Sequence, residues 1–315
     1  MKEISIFGRA LGAAGVQGFF GEGHPHYKIP FRKPNFTGMT LVSKTSTLKS
    51  REGNIKKSRG ILEHLFPSWA KMDFFSGHTI NAMGLPNLGI KALLELRIWQ
   101  KNKEPLFISI MAVESTLEKR LDELRRMVDI IGEYKNEFVA PIGLQINRSC
   151  RNLRHKVSDN IKDIVKESSQ GLEIASTLGW PLVEKFAIDT APVKAIKELQ
   201  DNTNLDGICV SNTVNYNYQG LGKKIFGINI SPLAHLGGGG ISGPELLPLV
   251  CDYIKEIHDL GFTKNINGGG GIFCKEDVEK YRDAGANSIF VGTVATYYPR
   301  RVVGIIQCAN NLNWR

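Results

Sequence analysis

The chain has 315 residues, 42% hydrophobic and 23% charged, with a formal charge of +9. That length suits two ordinary domains or one large α/β barrel, which takes about 250 residues. The positive charge is scattered and carries no nucleic-acid-binding signature, no apolar run reaches the roughly 18 residues of a membrane span, and no signal-peptide pattern opens the chain.

These features are read as those of a cytoplasmic protein, whose charge an anionic small ligand or a generally basic proteome explains better than a nucleic acid. The five cysteines (150, 209, 251, 274, 308) form no C-x-x-C pair, so free thiols are expected and a zinc ribbon or iron–sulfur cluster is not. His24 and His26 make an isolated H-x-H, which reads as a pair of surface loop histidines rather than a metal site.

In chain order, eight short apolar runs have strand length: IFGRALGA (6–13), GMTLVSKT (38–45), LFISIMA (106–112), PIGLQIN (141–147), PLVEKFAI (181–188), LDGICVSN (205–212), KNINGGGG (264–271) and NSIFVGTV (287–294). Helical patterns lie between most of them, such as LGIKALLELRIWQKN, ESTLEKRLDELRRMVDIIGEY, APVKAIKELQ, GPELLPLVCDYIKEIHDL and CKEDVEKYRDAGA. Gly285 is placed to end the last of these helices. Strands alternating with helices imply parallel pairing through right-handed crossovers, and eight such units close a (β/α)8 barrel. The whole chain, 1–315, then forms one domain. Connections 46–105 and 213–263 are too long for simple crossovers and are expected to carry inserted hairpins or lids at the carboxyl-terminal face.

A barrel gathers its chemistry at the carboxyl ends of its strands. Those ends read Ala14-Gly15, Lys44-Thr45, Asn147 to Cys150, Lys185, Ser211-Asn212-Thr213, Gly270-Gly271 and Gly292-Thr293. NGGGGIFCKEDV puts bare backbone amides between a strand and a helix, a natural phosphate cradle, and the next unit repeats the feature at Gly292-Thr293. A second cluster, HLGGGGISGPE (235–245), brings backbone close to a flat ligand. Lys185 interrupts an apolar run and Lys44 closes one. Each lysine could snorkel, pair with an acid such as Glu184 or Asp189, serve an electron-accepting ring, or form a Schiff base.

Together these segments resemble the dihydroorotate dehydrogenase family, flavin-dependent barrel enzymes of pyrimidine biosynthesis. The resemblance runs from about residue 8 to 300 through GAAGVQG, LVSKTSTLKSREGN, TINAMGLPNLGI, INRSCRN, VSNTV, GGGGISGPELLP, GGGGIFCKEDV and FVGT. It implies that FMN is held by Ala14, Gly15, Lys44, Thr45, Asn147, Lys185, Ser211, Gly243, Gly270, Gly271, Gly292 and Thr293. It places dihydroorotate against Lys44, Asn81, Ala82, Met83, Gly84, Leu85, Asn147, Asn152, Asn212 and Thr213. Cys150 would take the proton that leaves as hydride passes to the flavin. Asparagine suits a flat imide-bearing ring because an amide side chain both donates and accepts. Arg148 and Arg151 would favour a thiolate at Cys150 if they point towards it.

The sequence departs from the family's usual pattern in carrying Arg151 for proline, EKFAIDT without a proline pair after Lys185, and AVES (112–115) for a small-residue turn. Little precedes GAAGVQG, so the opening hairpin of the family is expected to be curtailed. Quinone-linked relatives carry a membrane-facing N-terminal extension and a serine base, so a soluble acceptor is implied here, fumarate first, and a homodimer. The rival readings are a flavoenzyme for dihydrouracil or another dihydropyrimidine, a phosphate-sugar barrel with Lys185 as Schiff base, and a homologue that binds without turnover.

Overall fold

Each of the eight apolar runs contains one strand of a closed parallel barrel. The computed structural model describes residues 2–29, 32–56, 67–148 and 160–314. In chain order the strands are β1 (Ala10–Gly12), β2 (Leu41–Val42), β3 (Ala70–Asp73), β4 (His78–Asn81), β5 (Leu106–Ile110), β6 (Ile142–Asn147), β7 (Leu182–Phe186), β8 (Gly207–Val210), β9 (Val214–Asn215), β10 (Gly240–Ser242), β11 (Asn265–Gly269) and β12 (Ser288–Val291). The barrel order is β1-β12-β11-β8-β7-β6-β5-β2. A parallel bridge from Leu11 to Thr40 joins the last strand back to the first.

Both long connections carry the expected insertions, and they form one structure. β3 and β4 make a hairpin, β10 pairs with β4, and β9 pairs with β10, giving a four-stranded antiparallel sheet built from both insertions. Helices Leu117–Glu133, Ile161–Ser176, Leu246–Asp259 and Lys275–Asp283 pack outside the barrel. Gly285 ends its helix as expected. Its φ is +103°, its amide bonds Arg282, and the Ala286 amide reaches back to Tyr281. The longest described helix has 17 residues, and no helix among the described residues is long and apolar enough to cross a membrane.

The first run divides into two parts. Ser5–Phe7 is a 3-10 turn and only Ala10–Gly12 is strand. Phe7, 1% exposed, turns inward and its ring lies tilted 4.2 Å from that of Phe107, so the run's apolar start plugs the amino-terminal mouth. Phe7, Leu11, Val42, Phe107, Val183, Cys209 and Phe290 form this lower interior. Strand glycines leave room for its rings: a Cβ at Gly143 would stand 2.2 Å from Phe107, and one at Gly269 2.6 Å from Phe290.

Alternation along β7 turns Lys185 inward and Glu184 outward, where Glu184 is wholly buried under the helices. Arg148, at the end of β6, meets Glu184 at 2.6 Å and Glu167 at 3.5 Å. Glu167 in turn pairs with Arg120 at 2.6 Å, so charges alternate in sign across the strand–helix layer. Gly171 leaves the space that the Arg148 guanidinium occupies. Glu184 is thus engaged by Arg148, and the Arg148 guanidinium points into the helix layer. Removing one member of a buried pair strands the other charge, at about 3–5 kcal/mol. Arg148→Met is expected to lower the urea-unfolding free energy by that amount, and a loss under about 1 kcal/mol would show that the pair is not buried in solution.

Candidate active site

The strand ends named from the sequence converge on one mouth because all eight strands run parallel. Asn147 ends β6 opposite Lys185 of β7 in register, and both are buried. Beside them the Asn212 amide nitrogen donates to the Asn147 side-chain oxygen at 3.4 Å. The Asn212 main chain is fixed by donation to the Phe186 carbonyl, and its side-chain oxygen accepts from the Thr213 amide at 3.0 Å. Ser211 accepts from the Ile188 amide at 3.1 Å and donates to the Asn212 carbonyl. Two asparagines and a lysine therefore share adjacent strand ends.

Lys185 is 5% exposed, with its ammonium 5.3 Å from the centre of the Phe290 ring. Cys209 lies in register beside it, and burial pushes that thiol up to about 11 despite the lysine's charge. Cys209 is thus an inert interior residue. Thr45, also inside, bonds Ser109 at 2.9 Å, and Ser109 bonds Gln145 at 3.4 Å, which crosses three strands with hydroxyl and amide groups. Neither Ser109 nor Gln145 was singled out from sequence. Their inward positions follow from alternation, which is blind until the strand register is known.

Lys44 is partly buried. Its amide bonds the Gly18 carbonyl, its stem passes Gly15, and its ammonium lies 5.3 Å from the Phe19 ring centre. Burial lowers its pKa to about 8, while Glu22 pulls the other way. It is a cation in a desolvated place, suited to an anion that displaces the remaining water.

The segment Asn81 to Leu85 is held to the loop after β2. Asn54 donates to the Ala82 carbonyl at 2.6 Å and its amide to Met83 at 2.9 Å. Gly84 takes φ of +79° and Leu85 of +58°. The anchor is Asn87, 7% exposed, whose oxygen accepts from Thr47 and Gly89 and whose nitrogen donates to Thr47 and Leu85. Asn87 stands inside LPNLG but was missed, since nothing in the motif distinguishes a structural asparagine from a ligand-facing one. Glu123 was also missed. A carboxylate on the apolar face of helix Leu117–Glu133 was the available signal. Its Oε2 accepts the Val113 and Glu114 amides at 2.5 and 3.1 Å, so the unusual AVES turn has a dedicated anchor.

The glycine ends fit a phosphate-bearing nucleotide such as FMN. The amides of Gly270, Gly271, Gly292 and Thr293 donate to no backbone carbonyl among the described residues. Gly271 has φ of +74°, and a Cβ there would stand 2.5 Å from the Leu247 nitrogen, so backbone alone can line this corner. A Cβ at Gly292 would meet Ala13 at 3.2 Å, beside Ala14 and Gly15. At Gly243 it would meet His78 at 2.7 Å. Backbone N–H groups grouped this way, near Lys44 and Lys185 at the same rim, suit a dianion joined to a flat ring.

Cys150, Arg151 and Asn152 lie outside the described residues, so the expected base and one substrate asparagine have no structural account. The four other cysteines are free. His24 and His26 are half-buried rather than surface residues. Their rings stack 5.5 Å apart, and burial first, then His24, lowers His26 to about 4. Among the described residues no three His, Cys, Asp or Glu gather into a metal-sized group.

Lys44 gives a direct test. Its folded pKa lies below its ordinary value, so it is charged below about pH 8. The burial penalty on its charge is present below that pH and fades as pH rises towards about 10.4, the unfolded value. In protein carrying ¹³C-methylated lysines, one resonance, absent from Lys44→Met, is expected to titrate near pH 8. Titration of every lysine together near 10.4 would contradict this placement.

A family model described as dihydroorotate dehydrogenase matches residues 13–309. The chain is 25% identical over 297 residues to the catalytic subunit of dihydroorotate dehydrogenase B (NAD(+)) of Listeria monocytogenes serotype 4b, covering 92% of this chain and 84% of that one. It is 24% identical over 303 residues to dihydroorotate dehydrogenase A (fumarate) of Limosilactobacillus reuteri, covering 94% and 86%. The catalytic subunit of the B (NAD(+)) enzyme of Archaeoglobus fulgidus is 28% identical over 227 residues, 71% of this chain and 69% of that one.

Proposed function

This chain belongs to the dihydroorotate dehydrogenase family, and from that premise we propose that it oxidises dihydroorotate to orotate with FMN at the carboxyl-terminal mouth of its barrel. The observation that carries the reading is the Asn212–Asn147 contact beside buried Lys185, at the same rim as four backbone amides that donate to no backbone carbonyl among the described residues.

FMN, when bound, would supply the acceptor for the hydride, which carries both electrons that leave the substrate. Gly270, Gly271, Gly292 and Thr293 would hold its phosphate through their amides, with Gly243, Ala14, Gly15, Thr45 and Ser211 alongside. Lys185 would stand beside its ring system as a fixed positive charge in a poorly hydrated place, where such a charge acts strongly. Asn147, Asn212 and Thr213, with the segment Asn81 to Leu85, would orient the substrate ring through paired donors and acceptors. Lys44 would meet an anionic edge of substrate or cofactor.

Cys150 and Asn152 enter by resemblance. Cys150 would accept the proton from the carbon adjacent to the one losing hydride, so the ring gains a carbon–carbon double bond and the thiolate becomes a thiol. The acceptor that reoxidises the flavin is soluble in this reading, with fumarate ahead of an NAD-linked partner subunit. Both kinds of relative match over nearly the whole chain. A cytoplasmic homodimer completes the proposal.

The purified protein should be yellow, and dihydroorotate added without oxygen should bleach it stoichiometrically. Cys150→Ala should slow that bleaching by about 10²–10⁴-fold, the usual worth of a positioned base, while leaving the oxidised flavin spectrum in place. Subsequent recovery of colour with fumarate alone supports the fumarate assignment. Bleaching by dihydrouracil but not dihydroorotate would overturn the substrate, and a colourless protein trapped by borohydride would overturn the flavin.

A further inference from the structure

His78 begins β4 and belongs to none of the ligand sets above. It is 6% exposed, and its Nδ1 lies 2.7 Å from Ser76 Oγ. Ser76 in turn donates to Asp73 Oδ2 at 2.5 Å. The one hydroxyl proton of Ser76 is thereby committed to the carboxylate, so Ser76 accepts from the imidazole and the ring proton sits on Nδ1. Asp73 is held below the usual carboxylate range by the Ser76 hydroxyl and then by the Phe75 amide, so the chain ends in a fixed negative charge. Nε2 is left buried and without a hydrogen-bond partner among the described residues. A ring nitrogen in that state is costly to bury unless something else completes it.

The surroundings say what that something is. A Cβ on Gly243 would stand 2.7 Å from His78 Cδ2, the ring carbon bonded to Nε2. Gly243 leads into Pro244, whose carbonyl lies 2.8 Å from where a Cβ on Gly271 would be. Tyr297, four residues beyond Thr293, donates its hydroxyl to the His78 carbonyl at 2.6 Å. Gly243 therefore abuts the imidazole itself, while Gly271 is linked to it only by way of Pro244 and the Gly292-Thr293 turn only by way of Tyr297 on the His78 main chain.

The geometry points to Nε2 of His78 as a side-chain ligand for the phosphate of the flavin nucleotide, oriented by the Asp73–Ser76 relay. This rests on the FMN reading and adds to a backbone cradle one group that titrates. Burial lowers the pKa of the free imidazole and so favours its neutral form, with Glu245 and Asp73 favouring the charged form and Lys224 opposing it. A neutral Nε2 has only a lone pair, and a phosphate dianion has only acceptors. The contact therefore requires one proton between them, either retained by the phosphate or taken up by the imidazole. The complex binds more protons than its separated parts, so affinity falls as pH rises above about 6, the second phosphate ionisation.

The full chain, stripped of flavin, is titrated with FMN and with riboflavin by fluorescence quenching at pH 6 and pH 8.5. For His78→Ala the expected result is roughly tenfold weaker FMN binding, one hydrogen bond's worth, with riboflavin binding unchanged. His78→Gln, which donates without titrating, should restore much of the FMN affinity and lose most of its pH dependence. Ser76→Ala keeps the imidazole but frees it to turn, and should weaken FMN alone by a smaller factor. FMN binding by His78→Ala equal to that of the parent, or equal losses for both flavins, overturns the proposal and leaves the FMN reading standing. A parent protein that binds neither flavin overturns both.

Discussion

The constraint on which this molecule depends is the two-residue alternation of a parallel strand inside a closed barrel. At positions 184 and 185 it forces a carboxylate and an ammonium, adjacent in sequence, onto opposite faces of β7. Neither face is wet, so each charge requires its own environment. Glu184 takes the Arg148 guanidinium under the helices. Lys185 is kept in the barrel mouth, in register with Asn147 and Cys209. Were the two lysine and glutamate side chains free to pair with each other, neither the outer ion network nor the inner cation would exist. The same alternation sends Ser109 and Gln145 inward under the site and Ile108 and Leu144 outward into the core.

Parallel closure then makes the chemistry one-sided. All carboxyl ends meet at one rim, while the other mouth is stopped by Phe7 tilted against Phe107. The interior is graded along its axis: aromatic and aliphatic groups at the bottom, hydroxyl and amide groups above them, then lysine and asparagine, and finally bare glycine backbone. A flat anionic ligand entering from the rim meets polar partners only where strands end, and its burial needs no cavity deeper than that layer.

The barrel was legible because each strand run is short, apolar and bounded by turn residues, and because helical patterns separate the runs. The division of 6–13 was not, since Phe7 and Leu11 have the same hydropathy whether they plug a mouth or line a strand. The glycine ends and the two lysines stood out in the sequence because both residue types are anomalous where they stand, and the structure brings them to one rim. Asn87, Ser109 and Glu123 could not be assigned in advance. Their roles come from partners more than 35 residues away in the cases of Thr47 and Gln145, or from a helix face whose rotation packing decides. Arg148 was harder to place for a related reason. Nearness in sequence to Cys150 implied a shared task, whereas the strand's last inward residue is Asn147 and the next one turns towards the helices.

The two insertions show how separate loops acquire a common geometry. Sequence gives no reason for residues 70–81 and 214–242 to meet, yet Ile80 pairs with Ile241 and Val214 pairs with Ile241 from the other side. Both isoleucines are fully buried, so the sheet is fastened by its middle residues. β4 has Asn81 at one end and His78 at the other, about 10 Å apart at the usual rise of a strand. β10 runs beside it with Gly240 against Asn81 and Ser242 against Thr79, just ahead of Gly243. A displacement of this sheet therefore cannot alter the substrate segment without moving Gly243, nor move Gly243 without shifting Thr213, which packs against Gly240. Asn81, Gly243 and Thr213 are tied together by one antiparallel ribbon rather than by independent loops, so in the proposed reading the substrate and phosphate ends would be set together.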